Sequence, residues 1–135
     1  MKKMLSNPRN ATLKTGETVD KAGIILTNDS TNNKMKKCTA GAVALGITAD
    51  ESERDSSGLV AGGTVSYYPL GGILMVACAA SQTLTTGLTV YAGANGLLTT
   101  TAGSNKKLGL YIGEGHSSTT EGDLVPVMTG ASVIA

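Results

Sequence analysis

The sequence predicts an all-β chain: a small β-barrel or sandwich of roughly nine or ten short strands, built from an internal duplication, with an extended N-terminal arm. Three observations carry this reading. Apolar residues recur in short runs bounded by glycine, not at helical spacing, and the chain holds 18 glycines. The apolar share is 41% with no Phe and no Trp, so the core has to be built from Val, Ile, Leu, Ala and Met. Finally, an eight-residue phrase occurs twice, as Thr12-Leu13-Lys14-Thr15-Gly16-Glu17-Thr18-Val19 and as Thr83-Leu84-Thr85-Thr86-Gly87-Leu88-Thr89-Val90, with six of eight positions identical.

The similarity continues downstream in the same order. Leu45-Gly46-Ile47 and Leu108-Gly109-Leu110 each precede a polar loop. Each loop then gives way to a glycine and an apolar run, from Gly63 in one case and from Gly122 in the other. The copies are expected at about 12–71 and 83–130, with Gly16 matching Gly87 and Leu45 matching Leu108. The chain suits one domain at its 135 residues, here 12–135, with residues 1–11 as an arm.

Taken in order, the arm is polar and basic, and Asn7-Pro8 breaks any regular element. Residues 23–27 read as a strand, 28–34 as a loop of Asn, Asp, Ser and Thr, and 35–39 as a short strand. In 42–49 the alternation of Val43, Leu45 and Ile47 predicts a strand with these three on one face. A charged loop, 50–58, follows. Residues 64–70 read as a strand whose Pro69 belongs at an end or an edge. The run 73–78 is nearly all apolar, so it is expected to link the two copies and to be buried on both faces. Strands at 88–92 and 97–101 flank a turn at Asn95-Gly96, where both residues tolerate positive φ. Strands at 108–112 and 124–128 complete the domain, and 131–135 is a short apolar tail.

The chemistry a catalyst would need is sparse. The one histidine, His116, sits among Gly, Glu and Ser, but no nucleophile elbow accompanies it. Phosphate-cradling and zinc spacings are missing, and the clustered acids of 50–58 lack the pattern of a calcium loop and enclose Arg54. No cofactor is expected. A net charge of +1 supplies no field for nucleic acid, and no run approaches the length of a membrane-spanning helix. Cys38 and Cys78 lie in no metal or redox spacing and are expected to be small, reduced and unbonded. Basic runs at Lys2, Lys3 and Arg9 and at Lys34, Lys36 and Lys37 read as solvated tails and loop tips.

The phrases Gly41-Ala42-Val43-Ala44-Leu45-Gly46-Ile47, Thr86-Gly87-Leu88-Thr89-Val90-Tyr91 and Lys107-Leu108-Gly109-Leu110, each with its loop and Gly-apolar strand, resemble those of tailed-phage capsid decoration (cement) proteins of the DUF2190-like family. The resemblance covers about 12–128. It implies a non-enzymatic virion protein on the capsid exterior, assembled in the host cytoplasm, often trimeric, with the major capsid protein as partner. No family residue list transfers to a binding site. The arm itself supplies the candidates: Lys2, Lys3 and Arg9 to meet carboxylates, and Met4 and Leu5 to fill a groove. The alternatives are a β-module of a phage tail or fibre, a carbohydrate-binding module (disfavoured by an aromatic share of 3%), and, more remotely, a hydrolase using His116.

Overall fold

The computed structural model describes residues 8–30 and 33–130. Its twelve strands are β1 (Arg9–Thr12), β2 (Ile25–Asp29), β3 (Lys34–Lys37), β4 (Gly46–Thr48), β5 (Arg54–Asp55), β6 (Gly58–Leu59), β7 (Thr64–Pro69), β8 (Gly72–Ala77), β9 (Thr89–Ala92), β10 (Leu98–Thr99), β11 (Lys106–Tyr111) and β12 (Leu124–Thr129). They form two five-stranded antiparallel sheets and the β5–β6 ribbon. The all-β expectation holds, in a sandwich-like form without a closed barrel.

The first sheet runs β1-β7-β4-β2-β3 and the second runs β8-β12-β11-β9-β10. With the β5–β6 ribbon set aside, both follow one scheme: the first strand of each half pairs with the last, then come the fourth, second and third. Hydrogen bonds align the halves residue by residue. The Gly23 amide donates to the Thr48 carbonyl at 2.8 Å and Thr48 donates back to Ile24 at 2.9 Å. Gly87 donates to Tyr111 at 2.7 Å, and Tyr111 to Leu88 at 2.8 Å. Leu13 bridges Met35 as Cys78 bridges Leu98. Gly46 faces Pro69 as Gly109 faces Thr129.

The expected match of Leu45 with Leu108 therefore stands, but that of Gly16 with Gly87 does not. Gly87 corresponds to Gly23, and their φ values are +90° and +86°. The repeated phrase encodes the same local turn, closed by Glu17 N–H to Lys14 at 2.9 Å and by Leu88 N–H to Thr85 at 3.0 Å. That turn is used at different points of the two halves. The strands also move the boundaries, to 9–69 and 72–129. Arg9 to Ala11 belong to β1, paired with β7, instead of to a free arm. β8 opens the second half where a linking strand was expected.

The core has two clusters. One gathers Leu13, Val19, Ile24, Leu26, Val65, Ala77 and Leu97. The other takes Leu74, Val76, Val90, Leu98, Leu108, Val125 and Val127 from the second half and Ile25 and Ile47 from the first. A bulge between Lys107 and Gly109 turns Leu108 into this core. The alternation read in 42–49 fails. Ala44 and Ile47 are buried while Val43 and Leu45 are exposed, because β4 is only three residues long and the Val43 carbonyl accepts from Thr27 Oγ1 at 2.8 Å.

Candidate interaction surfaces

Side chains alternate across a strand, so an edge strand with one face on the core presents the other to solvent. β8 lies at an edge of the second sheet. Its Leu74 and Val76 enter the core, while Ile73 and Met75 stay 59% and 49% exposed. The expectation that 73–78 is buried on both faces is thus wrong, and its error exposes the most distinctive surface here. On β12, Leu124 and Met128 are 47% and 39% exposed. The register sets Met75 beside Pro126 and Ile73 beside Met128. No charged residue occurs in either strand.

The first half supplies an internal control. Its corresponding pairs are Asn10–Ser66 and Thr12–Thr64, where the second half has Met75–Pro126 and Ala77–Leu124. The first set is polar, and Ser66 Oγ donates to Asn10 Oδ1 at 3.1 Å. The fold therefore accepts polar residues at these positions. An apolar outer face on the second half is not needed to build the sheet. Beside β8 an open, largely apolar groove of about 320 Å³ runs between Ile73, Met75 and Leu124 on one side and Gly23, Thr48 and Tyr68 on the other.

The remaining sheet edges are protected differently. β3 carries Lys34, Lys36 and Lys37, placing the second basic run on an edge strand that overlaps the short strand expected at 35–39. β1 carries Arg9, and β10 has only two residues. Charges and short length both discourage pairing with a foreign strand.

Arg9 is exposed on β1, so the candidate arm is anchored there. Lys2, Lys3, Met4 and Leu5 lie outside the described residues. The charged loop closes on itself. Arg54 donates to both oxygens of Glu51, at 2.8 and 3.0 Å, holding the Glu51 carboxyl below its ordinary range. Asp55 Oδ1 accepts from the Ser57 amide and hydroxyl, which lowers its pKa in the same direction. Ser52 departs from the solvated reading: it is buried, its Oγ accepts from the Val19 amide at 2.9 Å and donates to the Val19 carbonyl at 3.1 Å. His116 is half-exposed, with Nε2 at 4.0 Å from Asp123 Oδ2. Its backbone pairs with Leu84, and no hydroxyl accepts from or donates to its ring among the described residues.

Cys38 and Cys78 are free and buried. Burial pushes both thiols above their ordinary range, against the pull of Lys36 on Cys38 and of the Thr119 hydroxyl on Cys78. Among the described residues no three His, Cys, Asp or Glu side chains gather as a metal site.

No protein-family model matches the sequence, and no curated protein matches it. The fold is similar to a solved one, the head fiber gp8.5 N base of bacteriophage phi29, with a TM-score of 0.56 and 16% identity over 91% of this chain and 94% of that chain.

Proposed function

We propose that this chain is a structural protein of a phage virion, which binds the outside of the capsid and stabilises contacts between major capsid protein subunits. The observation that carries the reading is the fold shared, over nearly the whole of both chains, with a phage head-fibre base. The chemistry of the surface agrees with it. An uncharged apolar face and an anchored basic segment are equipment for holding a protein, while Glu51 and Asp55 are spent on their own loop.

The basic segment acts as a clamp on the shell. Arg9 is fixed on β1, and Lys2, Lys3, Met4 and Leu5 reach a capsid subunit, where single exposed ion pairs are worth about 0–1 kcal/mol. Useful affinity then comes from several weak contacts made at once. The test removes residues 1–7, which spares β1. Thermal unfolding stays within about 2 °C of wild type, and pelleting with undecorated shells falls at least tenfold. Undiminished pelleting would take the contact away from this segment. A fibre module is the second reading, favoured because the matched chain is named as a fibre base. It predicts attachment at sparse points on a shell instead of coverage of every equivalent position.

A further inference from the structure

The two halves close the outer edges of their third strands, β3 and β10, by one device. Lys14 N–H donates to the Met35 carbonyl at 2.8 Å, and Ala79 N–H donates to the Leu98 carbonyl at 2.9 Å. Further along, the Lys37 amide donates to Glu17 Oε2 and the Thr100 amide to Gln82 Oε1, each at 2.8 Å. Glu17 therefore stands where Gln82 does, Lys14 where Ala79 does, and Lys36 and Lys37 where Thr99 and Thr100 do. The second half satisfies itself: both threonine hydroxyls also donate to Gln82 Oε1, at 3.3 and 2.9 Å. The first half instead gathers three ammonium groups around one carboxylate, and the Lys37 amide already takes one oxygen of that carboxylate. Closing the backbone edge does not need these lysines, because the same bonds form around Ala79, Thr99 and Thr100.

An open pocket of about 320 Å³ lies between Lys14, Glu17, Lys36 and Lys37 and is completed by Thr39 and Asn95. Its walls are built into the sheet. Lys36 and Lys37 are half-buried on β3. The turn that carries Asn95 is docked on the first half: Gly96 N–H donates to the Cys38 carbonyl at 2.9 Å, and a Cβ at Gly96 would stand 2.5 Å from Ile24 Cγ2. An ammonium group only donates hydrogen bonds, so the pocket offers many more donors than Glu17 can accept. Among the described residues none of the three lysines forms an ion pair.

We propose that this pocket binds carboxylates of an acidic protein segment. Lys14, Lys36 and Lys37 hold the anionic groups, and Thr39 and Asn95 add neutral donors. Charge-assisted hydrogen bonds to a carboxylate are about twice as strong as neutral ones. Two observations favour a protein segment over nucleic acid. No aromatic side chain lines the pocket, so bases find no stacking platform. Beyond Lys37 the adjoining surface carries Asp20 and Glu121 beside Lys21, so no positive track continues for a phosphate backbone. The inference does not depend on the virion reading.

The test is titration of the full chain with a fluorescein-labelled hexaglutamate peptide in about 50 mM salt, read as fluorescence anisotropy. Lys36→Thr/Lys37→Thr writes the second half's residues into the first. Lys106→Thr/Lys107→Thr removes two exposed charges from β11 instead. The first variant is expected to weaken binding about tenfold and the second less than about twofold. Glu17→Gln keeps an acceptor for the Lys37 amide, as Gln82 does for Thr100, and removes the pocket's carboxylate; it is expected to tighten binding about threefold. In the wild type, unlabelled hexaglutamate is expected to shift the amide NMR signals of Lys14, Lys37, Thr39 and Asn95, which locates the site without any variant. No hexaglutamate binding at about 1 mM, equal losses in the two double variants, or shifts centred away from these residues would each overturn the proposal. Tighter binding of inorganic phosphate or of a thymidine hexanucleotide than of hexaglutamate would also overturn it, assigning the pocket to phosphates.

Discussion

Gly109→Ala is expected to be among the most damaging single-methyl additions the fold can receive. An alanine Cβ at Gly109 would stand 2.1 Å from the Met128 carbonyl oxygen and 3.0 Å from its carbon. Ordinary contact begins at 3.4 Å, so β12 must retreat by roughly 1.3 Å from β11. Strands in a sheet lie about 4.8 Å apart, and that retreat breaks the neighbouring ladder bonds, each worth about 0.5–1.5 kcal/mol net. Gly109 has no positive φ, so no backbone penalty is added, and alanine gains about 0.4–1 kcal/mol through the unfolded chain. The net cost is about 3 kcal/mol, or a fall in Tm of about 12 °C for a domain of this size. The counterpart Gly46→Ala meets first the Tyr67 ring, at 2.4 Å. That ring is half-buried and can swing, so its cost is about 1–2 kcal/mol. Urea unfolding with a shared m-value measures both. A Gly109→Ala variant within 1 kcal/mol of wild type, or more stable than Gly46→Ala, would refute the packing argument.

Three further outcomes follow from the interior. Ser52→Ala removes the side-chain acceptor of the buried Val19 amide and should cost about 1–3 kcal/mol in urea unfolding, against less than about 0.5 for the exposed Ser56→Ala. Both thiols should react with a disulfide reagent at least a hundredfold more slowly in the folded chain than in urea, since burial keeps them protonated and shielded. Their pKa values are raised on folding, so their stabilising contribution is complete below the ordinary value of 9.0 and is lost as pH climbs through the raised folded values. Wild type should therefore lose more stability than a Cys38→Ala/Cys78→Ala variant between pH 9 and 11; a constant difference would contradict the assignment. Removing residues 1–12, unlike 1–7, deletes β1 and should unfold the first sheet, seen as lost cooperativity in a thermal melt.

The strands were legible because glycine punctuation and β-branched runs act locally. Pro69 falls at the end of β7, and Asn95, at φ 59°, turns β9 into β10. The duplication was legible through Leu45 and Leu108, whose following glycines face the same strand position in both halves. What failed required knowledge of pairing. The repeated T-L-x-T-G-x-T-V phrase reports a turn, and a turn carries no information about which strands it joins, so the phrase aligns Gly16 with Gly87 where the hydrogen bonds align Gly23 with Gly87. Arg9 to Ala11 look like tail because they are polar, and their partner, β7, lies far along the chain. A wholly apolar strand implies two buried faces unless one of them serves a partner. Ile73 and Met75 break that rule, standing exposed on one face of β8. Setting β8 against β1 would have found them, since Met75 stands where Asn10 does, but only the strand order reveals which residues to compare.

Cryo-electron microscopy of undecorated phage shells incubated with the purified chain tests the virion assignment most directly. The account predicts added density on the outer surface, seated across the junctions between major capsid protein subunits, and shells that then resist heat or chelation better than bare ones. Bare shells at saturating protein, or density seated within a single subunit with no gain in shell stability, would contradict it.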